Sequence, residues 1–141
     1  MIRAVLDANV FVSGVLRYGA ATSTPAEILR RWLIGSFELV TSDALSREID
    51  RTLLTNPYFA PRVDHAAGSR WLQSLATFAE TIEIITPVSG VASHPEDDLV
   101  LATAVSASAN YLVTGDKQLQ RLGTFEGVSI VTPREFLSEI D

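Results

Sequence analysis

Apolar residues recur along the chain in two alternating rhythms. Five short runs rich in β-branched or aromatic residues lie beside turn residues: IRAVL (2–6), FELVT (37–41), IEIIT (82–86), YLVT (111–114) and VSIVT (128–132). Runs of that length and composition read as buried strands. The stretches between them carry helical spacing instead. In TPAEILRRWLIG, Thr24 is the expected N-cap, Pro25 the first helical residue and Glu27 the return partner of a capping box, with Gly35 as the stop. TPREFLSEI repeats the device with Thr132, Pro133 and Glu135. Ser42 is placed to cap DALSREIDRTLL, whose Ala44, Leu45, Ile49 and Leu53 share a face. A longer helix is expected over much of 61–80, where Trp71, Leu72, Leu75, Phe78 and Ala79 form a stripe, after a loop at 53–62 broken by Asn56-Pro57 and Pro61.

Strands separated by helices of this length form βαβ units, which bury a parallel sheet beneath helices on both faces. The expected fold is therefore a single-domain, three-layer α/β/α arrangement over residues 1–141, with a central parallel sheet of about five strands. No repeat, low-complexity tract or linker divides it. A hydrophobic content of 47% and a charged content of 20% suit a chain that folds on its own core.

Composition narrows the chemistry. There is no cysteine, so disulfides and thiolate metal sites are excluded, and any metal must be held by oxygen or by the two histidines. Neither His65 nor His94 has a partner at ligand spacing. The formal charge of −6 argues against broad capture of nucleic acid, although a local basic rim around an acidic centre stays compatible with it. No apolar run approaches the roughly 18 residues that span a bilayer, and the first residues lack a basic segment followed by a cleavage site. A cytoplasmic location without membrane contact is the expectation.

Four acids fall beside expected strand ends. Asp7 follows the first strand directly, and Asp116 follows the fourth after Gly115. Glu48 lies within the helix after the second strand, and Asp98 in the first turn of the helix opened by SHPEDDLVLATAV. In a parallel sheet these connections emerge on one edge, where ligands gather. Each acid alone has an ordinary explanation as a cap, a helix-dipole partner or a solvated surface charge. Together they would repel by about 4 kcal/mol per pair at 4 Å and an effective dielectric near 20, unless protonated or neutralised by a cation. A hard ion such as Mg²⁺ or Mn²⁺ resolves that conflict and suits phosphodiester hydrolysis.

Four segments, VLDANVFVSGVL, FELVTSDALSREIDRTL, HPEDDLVLATAVSASANYLVTGDKQL and GVSIVTPREFL, together resemble the PIN domain, in particular the bacterial single-domain toxins of toxin–antitoxin pairs akin to VapC. The resemblance covers nearly the whole chain. It implies a Mg²⁺- or Mn²⁺-dependent endoribonuclease with catalytic Asp7, Glu48, Asp98 and Asp116, of which Asp7, Asp98 and Asp116 hold metal and Glu48 holds a further water or ion. Asn9 and Thr114 are implied as supporting polar residues, and Ala8 stands where the family has a hydroxyl. Asp97 and Asp98 point about 100° apart on a helix, so one of them faces the centre, and the resemblance selects Asp98. It further implies an RNA substrate, an antitoxin protein that occupies the cleft and a homodimer. Val10, Val12, Val15, Leu29 and Trp32 on the early helices add an apolar surplus consistent with that dimer. Two alternatives stand beside this reading: a metal-dependent phosphatase, disfavoured because Asn9 replaces its usual second acid, and a non-catalytic RNA- or partner-binding module.

Overall fold

The computed structural model describes residues 1–20 and 22–141. Six strands form one sheet: β1 (Arg3–Leu6), β2 (Glu38–Thr41), β3 (Glu80–Thr81), β4 (Tyr111–Val113), β5 (Thr124–Phe125) and β6 (Val128–Val131), in the order β3-β2-β1-β4-β6-β5. All neighbours are parallel except β5 and β6, which form a short antiparallel pair around Glu126 and Gly127, both at positive φ. Seven helices flank the sheet: α1 (Ala8–Leu16), α2 (Thr24–Leu33), α3 (Asp43–Thr55), α4 (His65–Phe78), α5 (Pro95–Ser106), α6 (Lys117–Arg121) and α7 (Pro133–Ile140). The α/β/α architecture is as expected, with the sheet mixed rather than purely parallel and one strand longer in count.

Three local expectations meet a different structure. IEIIT (82–86) lies almost wholly outside the sheet: β3 ends at Thr81, Ile82 N–H extends its pairing to Thr41 O at 2.9 Å, and Ser106 Oγ accepts the Ile85 and Thr86 N–H groups at 3.0 Å each. A side-chain hydroxyl thus replaces the strand partner that its β-branched residues favour. The cap of α2 is Ser23 rather than Thr24. Its Oγ accepts from Ala26 N–H at 3.3 Å, while Glu27 turns to Arg30 and Arg31 at 2.8 and 3.1 Å, so no capping box forms there. The five apolar residues of the early helices expected as a surplus, Val10, Val12, Val15, Leu29 and Trp32, are all buried within the one chain. The capping box at Thr132 and Glu135 and the cap at Ser42 form as expected.

The core is continuous. β1 and β4 contribute Ala4, Val5, Leu112 and Val113, each fully buried, and Phe11 packs against Trp32 and Trp71 with ring centroids 6.3 Å apart in both pairs. Gly14 allows the crossing of α1 and α2. A β-carbon there would lie 2.7 Å from Leu29 Cδ1 and 2.8 Å from the Pro25 carbonyl oxygen, inside the contact distance of real side chains.

The order of strands places the functional edge. From β1 the chain moves outward to β2 and β3, then returns to the other side of β1 for β4 and β6. The reversal lies between β1 and β4, and in such sheets the crevice beyond their carboxyl ends is where ligands bind. Asp7 and Thr114 are the first residues beyond those two ends.

Candidate active site

The β1–β4 register brings Asp7 to Thr114. Leu6 pairs with Val113, and Asp7 N–H donates to Val113 O at 3.1 Å, so the next residue on each strand meets the other across the switch point. Thr114, fully buried, donates its hydroxyl to Asp7 Oδ2 and accepts the Asp116 N–H at 3.0 Å. One hydroxyl therefore fixes both the carboxylate of Asp7 and the backbone that presents Asp116. Asp7 Oδ1 accepts the Val10 N–H at 3.0 Å as the N-cap of α1. The simple capping explanation is thus true for Asp7, but it engages one oxygen only.

Asp116 is likewise an N-cap, its Oδ1 accepting the Gln118 and Leu119 N–H groups at 2.8 and 3.0 Å. Asn9 stands exposed on the first turn of α1, beside the same edge. The third acid at the crevice comes from α5, and it is Asp97. Burial pushes the Asp7 carboxyl up to about 6 from an ordinary 3.8; the Thr114 and Val10 bonds oppose the rise, while the negative charges of Asp97 and Asp116 add to it. Asp97 is itself raised, first by burial and then by Asp116, with His94 opposing and Glu96 and Asp98 adding smaller contributions. Asp97 and Asp116 thus both act on Asp7, and Asp116 acts on Asp97.

Asp98 is placed elsewhere. Its carboxylate, 8% exposed, accepts three backbone N–H groups of the preceding loop: Gly90 on Oδ2 at 3.0 Å, and Val91 and Ala92 on Oδ1 at 3.2 and 2.7 Å. Successive helical residues diverge by about 100°, and here Asp98 takes the loop while Asp97 takes the crevice. The Asp98 carboxylate is thus engaged by the loop, while of the pair it is Asp97 whose charge bears on Asp7. Asp98 lies on one stripe with the buried Leu101 and Ala102, a placement readable from helical spacing. Glu48 is engaged on its own helix. It pairs with Arg51 one turn along α3 at 3.2 Å and is not among the charges that raise Asp7 or Asp97.

The donor set fits a hard divalent cation in kind: oxygen-only, mutually repelling, and partly removed from water. Among the described residues no three His, Cys, Asp or Glu side chains are arranged to hold a metal ion directly. Mg²⁺ ordinarily takes one or two carboxylates and completes its shell with water and substrate phosphate, so the trio suits an open site rather than a closed protein cage.

A groove continues from the acids. It is bounded by the Val91–Ser93 loop wall, Asp97, and Gln118, Leu119 and Arg121 of α6, with Ser93 donating to Gln118 Oε1 across it. No helix among the described residues is long and apolar enough to cross a membrane.

Comparison with known proteins agrees with this architecture. A family model described as PIN domain matches residues 3–118. No curated protein matches the chain in sequence. Among solved structures the chain resembles one in the crystal structure of VapBC2 from Rickettsia felis bound to a DNA fragment from their promoter, with a TM-score of 0.59 and 12% identity, over 93% of this chain and 98% of that one. At that identity the likeness is one of fold.

Proposed function

This chain belongs to the PIN domain family, and on that premise we propose that it is a divalent-metal-dependent endoribonuclease, acting as the toxin of a toxin–antitoxin pair. The observation that carries the reading is the crowding of Asp7, Asp97 and Asp116 at the switch point, with Asp7 held about two pH units above an ordinary carboxylate by burial and by its like-charged neighbours. Nothing in the fold requires that cost. A buried acid serving only as a helix cap is better placed apart from two others.

Asp7, Asp97 and Asp116 would hold Mg²⁺ or Mn²⁺. The bound ion supplies Lewis-acid stabilisation of the phosphoryl oxygens and a water acidic enough to attack near neutral pH. The remaining work falls to the chain itself. Thr114 fixes the orientation of Asp7 and the backbone of Asp116 through its bridging hydroxyl. Asp98 holds the 90–92 loop as the wall of the substrate groove, through three N–H bonds that a neutral side chain could not all accept. Arg121 and Lys117 stand exposed on α6 beside the acids, without an ion-pair partner among the described residues, and supply local positive charge for a phosphate backbone. Glu48 remains a candidate for a second ion or water once Arg51 is displaced.

An RNA substrate, an inhibitory antitoxin and a homodimer belong to the same proposal. The VapBC2 complex, similar in fold, supports the antitoxin; the dimer rests on the resemblance, since Val10, Val12, Val15, Leu29 and Trp32 are already covered. The test is incubation of purified protein with total RNA, with and without Mn²⁺, followed by mapping of fragment ends. Wild type should produce Mn²⁺-dependent cuts ending in 5′-phosphates, and Asp7→Asn and Asp97→Asn should produce none. Undiminished cleavage by both variants, with contaminating nuclease excluded, would eliminate the assignment.

A further inference from the structure

One face of α1 links the acids to a second, separate set of groups. Asn9, Ser13 and Arg17 follow one another at intervals of four, the spacing that stacks side chains along one side of a helix, and Asn9 and Arg17 are exposed while Ser13 is half-buried. The rest of α1 is apolar or buried. This polar stripe begins two residues after Asp7 and runs about 12 Å along the helix axis to Arg17.

Arg17 ends in an open cavity lined also by Leu16, Gly19, Ala20, Tyr58 and Arg62. Among the described residues, no acid lines it and neither arginine has an ion-pair partner. The Arg62 guanidinium lies 4.2 Å from the centre of the Tyr58 ring and donates to the Tyr58 carbonyl oxygen at 2.8 Å, which holds it over the ring. Arg17 Nη2 reaches the Tyr58 hydroxyl from another side at 3.5 Å. Tyr58 is 47% exposed, and Asn56 Oδ1 fixes its backbone by accepting the Tyr58 and Phe59 N–H groups at 2.9 and 3.1 Å.

We propose that Arg17, Tyr58 and Arg62 form a binding site for single-stranded RNA, which takes a phosphate and a base of a nucleotide a short distance along the strand from the bond cut at the acids. The inference rests on the proposed ribonuclease activity and adds a second point of attachment to it. Arginines supply phosphate contacts, and an ordered tyrosine–guanidinium stack supplies flat surfaces on which any base can lie. An acidic peptide would use the arginines but gain little from that stacked plane. The polar stripe of α1 lies between the two points.

The test uses the full chain carrying Asp7→Asn, which binds without cutting, and fluorescence anisotropy with a single-stranded RNA of about twelve nucleotides, within the usual reach of such grooves. Adding Arg17→Gln and Arg62→Gln should weaken binding by roughly tenfold or more, and lower the salt slope by about one and a half, the share of two phosphate contacts on a single strand. Tyr58→Ala should weaken binding by roughly tenfold with the salt slope kept. In the otherwise wild-type chain, the arginine variants should still hydrolyse a small aryl phosphodiester with Mn²⁺, because that substrate reaches only the acids. Equal affinity and salt slope in parent and variants would overturn the site while leaving the nuclease reading intact. Binding of an oligoglutamate peptide that depends on these residues, without any effect on RNA, would also overturn it. If the wild type hydrolyses neither RNA nor the aryl diester, it is the nuclease reading that fails.

Discussion

Asp7→Asn should make the protein more stable at neutral pH while removing its activity. The carboxyl titrates near 6 in the folded chain against an ordinary 3.8, a gap of roughly two pH units, and at 1.36 kcal/mol per unit this is a destabilisation of about 3 kcal/mol. The sign follows from proton binding. Below the unfolded value both states hold the proton and nothing is lost; as pH rises through 4 to 6 the unfolded chain releases it first, and stability falls until the folded form also ionises. Above about 6 the loss is constant. The asparagine keeps the Val10 bond through Oδ1 and the shape of the side chain, but its amide no longer accepts the Thr114 hydroxyl, which takes back about 1 kcal/mol of the gain. A net stabilisation of about 2 kcal/mol is expected at pH 7.5, roughly 6 °C in melting temperature for a chain of this size, shrinking towards zero or reversing near pH 4. Thermal and urea melts of both proteins at the two pH values, with chelator present, measure it. Saturating Mn²⁺ should then raise the wild type and leave the variant unmoved. A variant no more stable than wild type at pH 7.5, or a difference independent of pH, would refute the claim that Asp7 is held charged against its surroundings.

Three further outcomes follow from the same geometry. Asp97→Asn should lower metal-dependent cleavage by at least about a hundredfold with little change in melting temperature, whereas Asp98→Ala should cost about 2–3 kcal/mol and speed amide exchange at Gly90, Val91 and Ala92, because three N–H groups lose a charged acceptor. Thr114→Val removes the donor that holds Asp7 down and the acceptor of the Asp116 N–H; it should destabilise by about 1–3 kcal/mol and move the Asp7 titration, followed by carboxyl NMR, to higher pH. Gly14→Ala should destabilise by about 1–3 kcal/mol in urea melts despite alanine's better helix propensity, since the added methyl meets Leu29 and the Pro25 carbonyl below 3 Å.

Much of the architecture was legible because several independent signals coincide at each element. In VSIVTPREFLSEI a β-branched run, a threonine cap, a proline at the first helical position and a glutamate three residues on all agree, and the structure has β6 and α7 with the full capping box. Where a single signal stood alone, tertiary context overruled it. The isoleucines of IEIIT favour a strand, yet the β2 edge pairs Glu80 and Thr81 and reaches no further than the Ile82 N–H, and Ser106 takes the N–H groups of Ile85 and Thr86. At the start of α2 two hydroxyl residues, Ser23 and Thr24, compete for one cap, and sequence spacing alone does not separate them by a single position.

The site shows the same division more sharply. The placement of Asp7 and Asp116 was readable from the backbone pattern: β1 ends at Leu6, β4 ends in register with it at Val113, and the two acids follow within three residues, whereas Thr114 came only from the family resemblance. Asp97 and Asp98 are both equally near a helix start, so their separation depends on the rotation of α5 about its axis. That rotation is set by packing. Leu101 and Ala102 turn inward, the stripe they share carries Asp98 with them, and the small residues of the 90–92 loop approach closely enough to saturate its carboxylate. A carboxylate already accepting three N–H bonds has few lone pairs left for a cation, whereas Asp97, repelled first by Asp116, would gain by taking one. Which acid of the pair is left free for the proposed cation thus depends on the donors around it, and those are set by the loop just upstream of the helix rather than by the motif itself.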